Sequence, residues 1–281
     1  MSIRLRLDLS YEGSVFSGWG IQPHQRTVQG DIELALSRVF RCGSDQLRTV
    51  VAGRTDAGVH ATGQVCHADL PHEAAAVLAR TGGEQRILKR LRGALGRRSP
   101  IWIQSARCAP DGFDARFSAL SRRYEYRIAD AVSIKDPRQV GYTLWMESHL
   151  DIEAMNSLGD RLLGIHDFAS FCRTRPGATT TRELQGFSWR RDADNVLVSR
   201  VVADAFCHSM VRSLVGAAVA VGHADLSVDQ VVALRDATTR TSSWKTMVAK
   251  GLTLREVEYP PEGELSDRAD ATRSRRTQPT D

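Results

Sequence analysis

AGRTDAGVHATGQV, residues 52–65, lies between two apolar runs. Leu47–Ala52 leads in, and a second short run follows from Gln64. Between them stand one carboxylate, Asp56, one guanidinium two residues before it, Arg54, and three glycines, Gly53, Gly58 and Gly63. Glycine permits turns that side chains resist and lets a ligand approach the main chain closely. The stretch therefore reads as a tight loop that holds Asp56 out from a sheet, a placement common among catalytic side chains. A solvated turn pair of Arg54 and Asp56 fits the composition equally well.

Working outward from this loop, residues 3–10 alternate strictly. Ile3, Leu5, Leu7 and Leu9 face one way, and Arg4, Arg6, Asp8 and Ser10 the other. That is a half-buried strand, antiparallel in its sheet. A glycine-rich loop follows at 11–20, and Thr27 caps a helix over 28–40 with Ile32, Leu36, Val39 and Phe40 inward. Leu47–Ala52 and 64–70 are strands on either side of the opening loop. A helical stretch over about 73–95 is interrupted at Gly82-Gly83, and 100–107 is a further strand. This order gives an α+β domain with helices on one sheet face.

The second half repeats the theme. SRRYEYRIA, 121–129, alternates Tyr124, Tyr126 and Ile128 against Arg123, Glu125 and Arg127. Asp151 caps a helix to about Leu163, two strands occupy 183–191 and 195–204, and 208–222 is a mostly apolar helix that carries Arg212. Ser227 and Gln230 form a capping-box pattern for a helix to about Ala237, and Leu252–Tyr259 is the last strand. The fold class is α+β, with domains at 1–108 and 109–260. After Pro260 the chain has four arginines, five acids and one leucine, which predicts a disordered tail over 261–281. Its basic end, Arg273, Arg275 and Arg276, reads as a solvated cluster or an RNA contact.

A chain of 281 residues, 42% hydrophobic and 25% charged, has the composition of a globular protein with a full core. No apolar run approaches the roughly 20 residues of a membrane helix. The alternating N-terminus does not read as a signal peptide. Cys42, Cys66, Cys108, Cys172 and Cys207 are scattered singly, which argues against a disulfide framework or a zinc site and fits a reducing, cytoplasmic setting. Of 38 basic residues only four are lysines, Lys89, Lys135, Lys245 and Lys250. Arginine suits bidentate phosphate contacts and stacking on bases. A GC-rich genome gives the same bias.

The phosphate loop GxxxxGK[ST], HExxH and GxSxG do not occur. Asp56 and His60 stand four apart, but Gly58 and Gly63 oppose a helix there, so they are not read as a metal pair. Arg212 is costly to bury unpaired, so a carboxylate is expected to meet it. Asp56 is one candidate, held ionised by the pairing, and Asp204 is another. Tyr124 and Tyr126 share a strand face, either as core or, at a cleft, as a stacking surface for a base.

AGRTDAGVHATGQV resembles the signature of the TruA-type tRNA pseudouridine synthases. YEGSVFSGW (11–19) and TVQGDIE (27–33) resemble that family's first strand–loop–helix unit, and FDARFSALSRRYEYRI (113–128) the start of its second domain. GIHDFASF (164–171), AFCHSMVRSLVG (205–216) and GLTLREVEY (251–259) resemble later blocks in the family's order. The resemblance runs from about residue 5 to 260. It implies two similar domains, each an antiparallel sheet flanked by helices, with the sheets joined around a central RNA-binding cleft. It further implies isomerisation of uridine to pseudouridine at positions 38, 39 and/or 40 of the tRNA anticodon stem-loop, a homodimer, and no cofactor or metal.

On the same resemblance Asp56 takes the place of the catalytic aspartate. Tyr124 matches the tyrosine that packs on the target base, and Arg212 the arginine that pairs with the aspartate. Arg54, His60 and Arg116 fall at substrate-binding positions. The chain departs from the family pattern at Gly20, Asp204 and Thr253, and over a longer stretch at 80–99. Two other readings are an inactive RNA-binding protein of this fold and a metal-dependent hydrolase using Asp56 and His60. The intact trio Asp56, Tyr124 and Arg212 opposes the first, and the lack of further ligands at metal spacing opposes the second.

Overall fold

The computed structural model describes residues 3–80, 83–173 and 179–277. The chain divides into two compact units, Met1–Leu120 with Arg255–Asp281, and Ser121–Leu254. This places the boundary later than the expected 108. The cause is local: residues 109–120 bond to the first sheet. Ala109 N–H donates to the Arg4 carbonyl at 2.8 Å, the Arg4 guanidinium donates to the Phe113 carbonyl, and Ala115 N–H donates to His67 Nδ1.

In the first unit β1 (Ile3–Tyr11) lies between β3 (His60–Leu70) and β4 (Ile101–Cys108), antiparallel to both, and β2 (Thr49–Val51) pairs with β3. The alternation read from the sequence is the alternation of burial: Leu5, Leu7 and Leu9 are fully buried. Each such leucine contributes about 1.5–3 kcal/mol relative to leaving it exposed. Helix α1 (Val28–Phe40) starts at Thr27, whose side chain accepts from Gly30 N–H at 3.2 Å, and buries Ile32, Leu36, Val39 and Phe40. The expected long helix is two, α2 (His72–Arg80) and α3 (Glu84–Leu95), and Gly83 between them takes φ +95°. Gly82, the other residue of the expected break, lies outside the described residues.

Strand β3 starts at His60 rather than at residue 64, so the second half of the opening motif is strand and not loop. Gly63 makes that possible. A Cβ there would lie 2.1 Å from the Arg255 carbonyl oxygen, so only glycine lets β10 (Leu252–Glu258) pass this closely.

In the second unit the strand order is β5 (Ser121–Ala129), β9 (Leu197–Ala203), β8 (Thr181–Arg191), β7 (Gly164–Asp167), all antiparallel, with the two-residue β6 (Leu144–Trp145) parallel to β5. Helix α4 (Ile152–Leu162) is capped by Asp151, whose side chain accepts from the amides of Glu153 and Ala154. The expected capping box is formed at α6 (Val228–Asp236), where Ser227 and Gln230 exchange side chain–backbone bonds. Helix α5 (Met210–Gly222) is buried at every position but Arg212.

Two expectations are corrected. The chain after Pro260 is not wholly disordered, because α7 spans Leu265–Thr277. Only Leu265 and Ala269 among its described residues are buried, at 3% and 1%, so composition could not show the helix. It is tied down by polar contacts instead. Ser118 Oγ donates to the Leu265 carbonyl at 3.0 Å, and Arg273 pairs with Asp114 at 3.0 Å. The side chains of Arg275 and Arg276 lie outside the described residues. Second, Cys172 and Cys207 are not apart in space but side by side, with Cα atoms 5.8 Å apart, although 35 residues separate them. Dispersed spacing along the chain hides this neighbourhood, which a main-chain bond from Arg173 N–H to the His208 carbonyl helps set.

Candidate active site

The loop between β2 and β3 is held from both sides. Trp19 N–H donates to the Thr55 carbonyl at 3.0 Å, and Gly58 N–H reaches the Phe16 carbonyl. Thr55 Oγ1 and the Tyr11 hydroxyl lie 2.8 Å apart, and Gln64 Nε2 donates both to that hydroxyl at 3.1 Å and to the Gly53 carbonyl at 2.9 Å. Burial pushes the Tyr11 hydroxyl up to about 12, against the pull of its bonds to Thr55 and Gln64, so it stays a neutral donor. Buried, satisfied networks of this kind rigidify the backbone they touch.

Asp56 stands on this fixed loop, half-buried, with its carbonyl closing the turn to Val59 N–H at 3.2 Å. Gly18 passes beneath it at φ +95°. A Cβ there would sit 2.9 Å from the Thr55 carbonyl oxygen and 3.2 Å from the Asp56 carbonyl carbon. Arg54 is exposed, and its guanidinium carbon lies 3.8 Å from where a Cβ of Gly20 would be. At this departure from the family pattern a longer side chain would therefore meet Arg54.

His60, expected among the substrate contacts, is 6% exposed. Its Nδ1 accepts from Gly13 N–H at 3.1 Å. Glu12 Oε1 is 3.5 Å from the same nitrogen. A ring nitrogen that accepts an amide proton carries none to give, so Gly13 is the bond and Glu12 only a neighbour. His60 thus joins the 11–20 loop to the opening motif.

Arg116 is exposed on a second feature of the same unit, the turn 113–118. Asp114 organises this turn. Its Oδ1 accepts from the amides of Arg116 at 2.8 Å and Phe117 at 2.9 Å. Behind the turn His67 of β3 accepts from Ala115 N–H at 3.0 Å. Burial, with Arg4 nearby, drives the His67 imidazole down to about 4, against Asp114 and Asp69, so it is neutral and fit to accept. No sequence signal pointed to His67. Its partner is a main-chain amide, which leaves no side-chain pattern.

In the second unit Tyr124 of β5 is 7% exposed and meets Phe206 edge-on, with centroids 5.3 Å apart. Tyr126, on the same face, is core. Its hydroxyl donates to the Val248 carbonyl at 2.8 Å, and burial raises its pKa, opposed by Arg212. The ambiguity between the two tyrosines is thereby reduced, since Tyr126 has its hydroxyl committed to the main chain. Arg212 enters from the first turn of α5. Its Nε donates to the Met247 carbonyl at 2.6 Å, and Met247 N–H returns a bond to the Arg212 carbonyl at 3.1 Å. Met247 was not legible as an anchor, because a carbonyl carries no residue signature. Asp204, the other acid considered for Arg212, accepts at Oδ1 from the amides of Glu183 at 3.0 Å and Ala205 at 2.7 Å.

The first unit therefore holds Asp56 and Arg54 on one loop, His60 at the start of β3 and Arg116 on the turn 113–118; the second holds Tyr124 and Arg212. A half-buried carboxylate on a locked loop can act on a charged centre without reorganising. Among the described residues no group of three His, Cys, Asp or Glu side chains is arranged to hold a metal ion.

Comparison with known proteins gives a consistent result. A family model described as tRNA pseudouridine synthase matches residues 160–260. The chain is 53% identical over 281 residues to tRNA pseudouridine synthase A of Leifsonia xyli subsp. xyli, with 98% of each chain covered. It is 49% identical over 278 residues to the tRNA pseudouridine synthase A of Frankia casuarinae, covering 99% of this chain and 97% of that one. The Streptomyces avermitilis protein of the same name is 47% identical over 278 residues, with 99% and 95% covered.

Proposed function

Since the chain belongs to the tRNA pseudouridine synthase family, we propose that it converts uridine to pseudouridine in the tRNA anticodon stem-loop, at positions 38, 39 and/or 40, with Asp56 as the catalytic carboxylate. The family's reaction is an isomerisation. The N1–C1′ bond breaks, the base turns, and a C5–C1′ bond forms. The hydrogen lost from C5 is balanced by one gained at N1, so no oxidant, reductant or co-reactant is consumed, and no cofactor is called for.

Asp56 serves this reaction either by attack on C1′ or by removal of the C2′ proton, as cleavage builds positive character on the sugar. Carboxylates act against similar charge in glycoside hydrolysis. Arg212 takes the position of the arginine that the resemblance assigns as the aspartate's partner. Tyr124 packs on the target base, which leaves its stack to reach the site, and assists loss of the C5 proton. Arg54 and Arg116 hold the RNA backbone, and His60 lines the loop that carries Asp56. The family resemblance supports a cytoplasmic homodimer that presents both subunits to one tRNA.

The observation that carries this reading is the position of Asp56. It is a half-buried carboxylate on a loop whose flanking groups, Tyr11, Thr55 and Gln64, are bonded to one another in the interior. The test is to map pseudouridines in tRNA treated with the purified protein and with Asp56→Ala. The wild type is expected to modify the anticodon stem-loop. The variant is expected to lose at least about a hundredfold in rate, the low end of what a positioned catalytic group contributes, while still binding tRNA. Robust activity in Asp56→Ala would overturn the assignment.

A further inference from the structure

Helix α7 ends on the turn that presents Arg116. Asp114 is the link between them. One of its carboxylate oxygens, Oδ1, accepts from the amides of Arg116 and Phe117, and the other, Oδ2, accepts from Arg273 Nη2 at 3.0 Å. The Asp114 side chain is nearly buried, and Arg273 is the cation bonded to its Oδ2, with Arg4 also close by. The Arg273 guanidinium also lies 5.1 Å from the centroid of the Phe117 ring, and the Arg116 guanidinium lies 5.2 Å from the same centroid. Arg273 Nη1 is steadied in turn by Asp270, one turn back on the helix, at 2.9 Å.

Further contacts seat the helix against the same segment. A Cβ on Gly112, which has φ +74°, would fall 2.6 Å from Ser266 Cβ, so the turn and the helix pack without a gap. Arg268 donates to the Ala119 carbonyl at 3.4 Å. Ser118 Oγ accepts from Asp114 N–H and reaches the Leu265 carbonyl, tying both ends of the turn to the start of α7.

We propose that Arg273 is a positioning residue for tRNA binding: through Asp114 and Phe117 it fixes the turn that holds the exposed Arg116 guanidinium toward the RNA backbone. The inference rests on the reading of Arg116 as an RNA contact. Arg273 acts through Arg116 and does not itself meet the phosphate. A turn whose carboxylate has lost this bond relaxes, and Arg116 is then no longer held where it meets the phosphate.

The test measures tRNA affinity against salt concentration for the wild type, Arg116→Ala, Arg273→Ala, the double variant and Arg273→Lys. Arg273→Ala is expected to weaken binding about fivefold and to lower the salt slope by about one, matching Arg116→Ala, because one phosphate contact is lost in each. The double variant is expected to lose nothing further, and Arg273→Lys, which keeps a cation on Asp114, to recover most of the affinity. With saturating tRNA the rate of pseudouridine formation by Arg273→Ala stays within about twofold of the wild type, so the defect is in KM and not kcat. Arg273→Ala is expected to lower the unfolding midpoint modestly, since the guanidinium is about half exposed, and recovery of that midpoint in Arg273→Lys together with binding measured well below it separates the effect from misfolding.

Unchanged affinity in Arg273→Ala overturns the proposal. So does a second unit of slope lost in the double variant, which would mean that Arg273 touches phosphate itself. The binding measurements need no turnover, so a wild type that binds tRNA but forms no pseudouridine overturns the proposed function alone.

Discussion

Gly13 runs so near the opening motif that a Cβ would lie 2.0 Å from the Val59 carbonyl oxygen. Its own amide is the donor that occupies His60 Nδ1. No rotamer relieves a clash between a Cβ and a backbone carbonyl, so the main chain must move. Gly13→Ala is expected to cost about 1–3 kcal/mol, the usual range for overpacking, and to displace the loop that bears Asp56. Gly53 in the same motif has nothing within 4 Å of its would-be Cβ. Gly53→Ala is therefore expected to leave the thermal midpoint unchanged. Thermal unfolding of the two variants checks the contrast, and pseudouridine formation should fall with Gly13→Ala. The sequence shows two equivalent glycines; their difference is a matter of which carbonyl passes nearby. His60 is a similar case. It looks like an exposed polar residue in a loop, and it is buried because Gly13 and Val59 close over it.

At the scale of elements, β3 supports more than the opening loop. Its His67 side chain holds the 113–118 turn through Ala115 N–H, and the imidazole is depressed to about 4 from an ordinary 6.5. The unfolded chain then binds the proton more readily than the folded one. Stability from this group is present above about pH 6.5 and is lost as pH falls toward 4, by up to about 3 kcal/mol at 1.36 kcal/mol per pKa unit. Denaturant unfolding of the wild type between pH 7 and 4 is expected to show this slope. His67→Gln, which keeps an acceptor but cannot titrate, is expected to flatten it. A slope of equal steepness in His67→Gln would place the proton elsewhere. Helix α7 adds a second support for the same turn, although its sequence promised none. Helices α1, α4 and α6 were legible because their caps, Thr27, Asp151 and Ser227, sit beside a periodic apolar face. Helix α7 lacks such a face, and its stability comes from ion pairs and carbonyl contacts made with residues about 150 positions away in sequence.

For the molecule as a whole, charge is the property that matters to a polyanionic substrate. The net charge is +5, and arginine supplies nearly all of the positive side chains. Binding to tRNA should release condensed counterions, with log K falling by about 0.7–0.9 per decade of salt for each phosphate neutralised. Four contacts would give a slope of about −3. Titrations of tRNA between low and physiological salt measure it. A flat response would remove the phosphate-binding role of the arginines and leave their number to genome composition. The division into Met1–Leu120 with Arg255–Asp281 and Ser121–Leu254 also belongs to this scale. The expected break at 108 followed the end of a strand pattern. The observed one follows bonds from Arg4 and His67, which recruit residues 109–120 to the first unit.

Local pattern alone determined the strands and most helices of this protein, because alternation and capping act over a few residues and need no partner far along the chain. It also determined that Asp56 sits in a glycine-framed loop after a strand. What tertiary structure decided was every feature whose partner is a main-chain group distant in sequence: His60 against Gly13, His67 against Ala115, Arg212 against Met247, and α7 against the 113–118 turn. An amide or a carbonyl is the same in every residue, so the sequence carries no mark of where such a bond will form. The opening motif shows both halves of this division. Its glycines announce a loop, and the rigidity of that loop comes from Tyr11, Thr55, Gln64 and Trp19 meeting around it.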